Sequence, residues 1–91
     1  MQKVLLRIHG RVQGVCYRAW AVAEAKKRGL AGWVRNRRDG TVEALIAGPE
    51  AEVTGMIAAC EAGPLAAQVT EIEVRATDEE AGDDFEMYPT I

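Results

Sequence analysis

Lys3-Val4-Leu5-Leu6-Arg7-Ile8-His9-Gly10-Arg11-Val12-Gln13-Gly14-Val15-Cys16-Tyr17-Arg18 changes its periodicity halfway along. Val4, Leu6 and Ile8 fall on one face and Arg7 and His9 on the other, which predicts a half-buried strand over residues 3–9. Gly10 and Gly14 bracket a turn-rich loop. From Cys16 to Arg28 the chain is Ala-rich, and Tyr17, Ala21 and Ala25 recur at the spacing of one helical face, with Trp20 beside them. A helix is therefore predicted over Cys16–Arg28. Lys26, Lys27 and Arg28 complement the dipole of its last turn, and Gly29 suits the C′ position.

The rest of the chain extends this strand–loop–helix unit. Residues 30–37 read as a second strand. Asp39-Gly40 is a two-residue hairpin signal, and residues 41–47 return as a third strand with Val42, Ala44 and Ile46 on one face. Gly48-Pro49-Glu50 opens a second helix, with proline at its start and Glu50 and Glu52 in its first turn. Val53, Met56, Ile57 and Cys60 form its apolar stripe, and Gly63-Pro64 ends it. A fourth strand is expected over residues 69–76 around Ile72 and Val74. Val69 is out of phase with that pair, so either a bulge or a late strand start is expected. Residues 78–84 are an acidic loop, and Phe85-Glu86-Met87-Tyr88 reads as a short last strand closed by Pro89. The order β-α-β-β-α-β predicts an α+β, ferredoxin-like sandwich: an antiparallel sheet of four to five strands with two helices on one face, formed by residues 1–91 as one domain. Unrelated functions share that fold, so the fold alone names none of them.

Composition narrows the classes. The chain has 91 residues, 48% hydrophobic and 27% charged, which is the balance of a globular domain. No apolar run approaches the roughly 20 residues of a membrane span, and the charged N-terminus is too short for a signal peptide. A soluble, cytoplasmic protein is expected. Cys16 and Cys60 are read as free thiols in a reducing compartment. With no C-x-x-C and a single histidine, His9, no zinc site is expected. Residues 1–38 hold ten of the eleven Lys/Arg and one of the fourteen acids, although the net charge is −3. Two readings follow: an anion-seeking surface, or a dipolar chain whose halves pair in space. Nucleic acid fits the acidic overall balance poorly.

The chemistry is sought in Gly10–Arg18. The glycines let the backbone curl so that successive N–H groups point into one concavity, and the following helix adds its own unpaired N–H groups and positive dipole end. Arg18 lies in the first helical turn, where a planar guanidinium can grip a phosphoryl group. A glycine-rich strand-to-helix turn is as often a plain tight turn, so both readings stand on spacing alone. Two phosphate motifs are excluded. Gly-Lys-Ser/Thr is absent, so this is no nucleotide P-loop. Cys16 lies too near Arg18 for the nucleophile-and-cradle loop of a cysteine phosphatase.

Gly10-Arg11-Val12-Gln13-Gly14-Val15-Cys16-Tyr17-Arg18, then Gly32-Trp33-Val34-Arg35-Asn36 and Asp39-Gly40-Thr41-Val42-Glu43, resembles the acylphosphatase family. Gly48-Pro49-Glu50 and Gly63-Pro64 are similar to that family's boundaries of the second helix. The likeness runs in register from about residue 4 to 74. It implies metal-independent hydrolysis of acyl phosphates to a carboxylate and inorganic phosphate, with no cofactor. It also implies roles: the loop of Arg11, Val12, Gln13, Gly14, Val15, Cys16 and Tyr17 cradles the phosphate through backbone N–H groups, Arg18 holds the phosphoryl oxygens, and Asn36 orients the attacking water. The expected partners are a small acyl phosphate and, as product-like ligands, phosphate or sulfate. Neither nucleic acid nor membrane is expected to bind, and a monomer is expected.

Other residues have plainer readings. His9 and Glu43 are read as strand-surface residues, Cys16 as packing, and Trp33 as core or pocket wall. Arg37 and Arg38 are read as either attracting the anion or being solvated. An RNA-recognition sheet needs aromatics on adjacent central strands within a basic surround, and only Trp33 is near such a position.

Overall fold

The computed structural model describes all residues, Met1–Ile91. The elements are β1 (Gln2–Arg11), α1 (Tyr17–Lys27), β2 (Ala31–Asn36), β3 (Val42–Gly48), α2 (Glu50–Ala62), β4 (Gln68–Ala76) and β5 (Phe85–Met87). They form one five-stranded sheet of order β4-β1-β3-β2-β5. The β1–β3, β1–β4 and β2–β3 pairs are antiparallel, as expected, while β5 lies parallel to β2 and makes the sheet mixed. The acidic stretch before β5 carries the chain across so that it re-enters in the direction of β2.

The sheet's two faces follow from strand alternation. Val4, Leu6 and Ile8 of β1, Val34 of β2, and Val42, Ala44 and Ile46 of β3 pack with Tyr17, Ala21 and Ala25 of α1 and Val53, Met56 and Cys60 of α2 in one buried cluster. Each large side chain buried there contributes about 1.5–3 kcal/mol. The other face is closed differently. Trp33 stacks on Tyr88 with ring centroids 5.5 Å apart, and the Arg35 guanidinium lies 4.5 Å from the Trp33 ring centre. Trp33 is 5% exposed, so it is neither a pocket wall nor a free stacking platform. On this face Glu43 accepts from Arg35 and Arg37, both at 2.9 Å. Burial alone would push the Glu43 carboxyl up, but the Arg35 and Arg37 hydrogen bonds and charges outweigh it and hold the carboxyl below its ordinary range.

Several junctions differ from the sequence expectation for local reasons. The hairpin after β2 has three loop residues, not two: Arg37 N–H donates to Thr41 O at 2.9 Å, Gly40 N–H donates to Arg37 O at 3.1 Å, and Gly40 takes φ +93°. Asp39 holds this turn by accepting from the Thr41 N–H at 3.0 Å and hydroxyl at 2.6 Å. The phase break at Val69 is a bulge. Gly10 faces Val69 while His9 faces Glu71, so Thr70 is the extra residue. α1 ends in a reciprocal cap, with Leu30 N–H on Ala25 O at 2.9 Å and Gly29 N–H on Lys26 O at 3.1 Å.

Candidate active site

The bulge sets where the site begins. Gly10 takes φ +123°, and a Cβ there would lie 2.1 Å from the carbonyl oxygen of Gln68. Only glycine lets β1 and β4 approach so closely as β1 ends. The chain then curls past Gly14 (φ +74°) to Cys16 (φ +63°), the one non-glycine residue with a left-handed backbone. A left-handed Cys16 costs about 1–2 kcal/mol. Strain of this kind concentrates at functional loops. Cys16 is exposed and N-caps α1 without a side-chain hydrogen bond, which corrects the packing role expected for it.

What the loop leaves unbonded is its main feature. The N–H groups of residues 12–16 take part in no backbone–backbone hydrogen bond. α1 has no acidic residue in its first turn, whereas α2 carries Glu50 and Glu52 there. The N-terminal end of α1 therefore keeps its uncompensated positive potential. Val12 and Val15 anchor the loop by burying their side chains, at 1% and 8% exposure.

Two side chains converge on this backbone. Arg18, half-buried in the first turn of α1, points its Nη1 toward Tyr88 O at 3.5 Å and has no carboxylate partner. Four other arginines of the first half are taken up by acids: Arg7 by Asp39, Arg28 by Glu24 and Glu52, and Arg35 and Arg37 by Glu43. Arg37 is thus committed to an ion pair on the opposite sheet face rather than to the anion loop. Asn36, the last residue of β2, shares the strand parity of Val34 and so faces the helices.

Arg18 and Asn36 line one hollow of about 320 Å³ with Val12, Gly14, Cys16, Tyr17, Ala19 and Met87. No aspartate, glutamate or histidine lines it. The Tyr17 hydroxyl is turned inward and donates to Cys60 O at 2.6 Å, and burial raises its pKa. Burial also pushes the Cys60 thiol up to about 11. Of the loop residues singled out from sequence, Val12, Gly14, Cys16 and Tyr17 line the hollow; Arg11, Gln13 and Val15 do not. Arg11 ends β1 opposite Gln68, and the Gln13 amide turns away to the β2–β3 hairpin. Met87 is a wall residue that periodicity could not find, because only the parallel docking of β5 brings it beside Val34. A second hollow, of about 250 Å³, lies on the opposite sheet face among residues such as Leu5, Arg7 and Arg75, remote from this chemistry.

Known proteins resemble the chain in sequence and in fold. The sequence model of the acylphosphatase family matches residues 4–87. An acylphosphatase from Rhodospirillum rubrum is 50% identical over 91 residues, covering 100% of both chains. One from Azorhizobium caulinodans is 54% identical over 87 residues, covering 94% of each. The crystal structure of acylphosphatase from Bacillus subtilis superposes with a TM-score of 0.91 at 39% identity, covering 97% of this chain and 99% of that one. With full-length relatives at this identity and a superposable fold, the chain belongs to the acylphosphatase family and is a hydrolase of that kind.

Proposed function

We propose that the hollow between the 12–17 loop, Arg18 and Asn36 is where a small acyl phosphate is hydrolysed. The phosphoryl oxygens are held by the N–H groups of the loop and by the Arg18 guanidinium. Asn36 holds the attacking water, since its carboxamide both accepts from and donates to it. Water oxygen bonds to phosphorus as the bond to the acyl oxygen breaks, and the carboxylate leaves with the electron pair. With no carboxylate or imidazole in the hollow, the water's proton passes to the phosphate itself. An acyl phosphate has a good leaving group, so positioning and charge stabilisation supply the catalysis. The observation that carries this reading is a loop whose N–H groups over residues 12–16 donate no backbone hydrogen bond, beside a hollow lined by both Arg18, which has no carboxylate partner, and Asn36.

Two free thiols, one of them exposed, fit a reducing compartment, and we assign the protein to the cytoplasm as a monomer. No helix is long and apolar enough to cross a membrane. The test is phosphate release from benzoyl phosphate, with and without chelator. Turnover insensitive to chelator and reduced at least ~100-fold in Arg18→Ala is expected. Chelator-sensitive turnover, or full turnover in Arg18→Ala, overturns the assignment.

A further inference from the structure

We propose that Gln13 is a positioning residue that sets the distance between the anion loop and the strand end carrying Asn36; the proposal rests on the site reading above. Gln13 does not line the hollow. Its Nε2 donates to Arg37 O at 2.7 Å and to Thr41 O at 2.9 Å. Those carbonyls belong to the pair that closes the β2–β3 hairpin, where Arg37 N–H donates to Thr41 O. Both protons of one carboxamide are thus used on the neck of a single turn, and Arg37 directly follows Asn36.

No backbone hydrogen bond donated by residues 12–16 ties the loop to β2. Val12 and Val15 fix the loop to the core only through non-directional apolar contact. The Gln13 amide is therefore the directional link between the N–H groups that grip the phosphate and the carboxamide that aims the water. Catalytic geometry is sensitive to such a link, because a misplacement of about 1 Å can cost ~100-fold in rate. The chemistry demands two donors on one atom. A carboxylate of the same shape is acceptor-only and would face two carbonyl oxygens, and asparagine is one methylene short.

The test is benzoyl phosphate hydrolysis by Gln13→Glu and Gln13→Met, each also made in Asn36→Ala, with inorganic phosphate as competitive probe of the loop. All variants are assayed below their unfolding midpoints, and Gln13→Met decides if Gln13→Glu does not fold. We expect kcat to fall about 10- to 100-fold in Gln13→Met, with the phosphate inhibition constant changed less than about threefold. In the Asn36→Ala background the same substitution should cost less than about threefold, because the group it positions is gone. An equal loss in both backgrounds, or a weakening of phosphate inhibition that parallels the loss in kcat, overturns the proposal and leaves the site reading intact. Wild-type turnover in Asn36→Ala alone instead removes the site reading, and the proposal with it.

Discussion

Asn36 and Arg18 reach the same hollow from different elements, and their chemistry predicts different kinetic signatures. On the proposed assignment Arg18 touches ground-state phosphate as well as the transition state, so its loss should weaken product inhibition along with turnover. On the same assignment Asn36 acts on water. In Asn36→Ala, kcat should fall about 100-fold or more while competitive inhibition by inorganic phosphate is retained. Unchanged turnover in steady-state assays would remove the role. Tyr17 belongs to the framework rather than the chemistry, since its hydroxyl is committed to Cys60 O. Tyr17→Phe leaves that buried carbonyl without its donor and should cost about 1–3 kcal/mol in urea unfolding, with kcat nearly unchanged. Cys16 shows the limit of reading a single residue. A cysteine beside a helix start reads as packing, yet its side chain is exposed and its backbone is left-handed. That conformation is imposed by the route the loop takes to α1.

At the scale of elements, the β1–loop–α1 unit depends on its glycines unequally. A Cβ on Gly10 would strike Gln68 O at 2.1 Å, whereas a Cβ on Gly14 meets nothing within 4 Å. Gly14→Ala therefore carries only the left-handed backbone cost of about 1–2 kcal/mol. Gly10→Ala must in addition part β1 from β4 at the bulge, and should destabilise by more than about 3 kcal/mol. Denaturant unfolding of the two variants side by side gives the ranking, and equal losses would contradict the role given to the bulge. The strand and helix phases were legible because burial on one face imposes a period. The three-residue hairpin was not, because Asp39-Gly40 suits either loop length, and the choice falls to the pairing of Arg37 with Thr41.

Across the whole molecule, part of the basic first half meets part of the acidic second half, mostly on the sheet face away from the site. Glu43 is the hub, with Arg35 and Arg37 at 2.9 Å and Arg7 at 3.9 Å. Its folded pKa is lowered, against burial, by Arg35 and Arg37. A carboxyl shifted this way contributes stability above its unfolded pKa, about 4.3, and loses it as pH falls through the lower folded value. Glu24, lowered by Lys27 and Arg28 against its own burial, works in the same direction. Thermal midpoints should therefore fall as pH drops below about 4.3, with a shallower fall in Glu43→Gln. Identical pH profiles for the two proteins would remove Glu43 as a contributor. Arg18 is left without a carboxylate and lines the hollow, a combination the charge count alone could not reveal.

The amino-acid sequence by itself determined the order of elements, the faces they bury and the loop able to curl around an anion, because periodicity, glycine placement and helix ends are local properties. Tertiary structure alone decided that Asn36 shares the hollow of Arg18, that Arg37 turns to Glu43, that Gln13 ties the loop to the hairpin, and that β5 docks parallel to β2. Each of these depends on strands distant in sequence coming into register, and a pairing between distant segments leaves no period in either one.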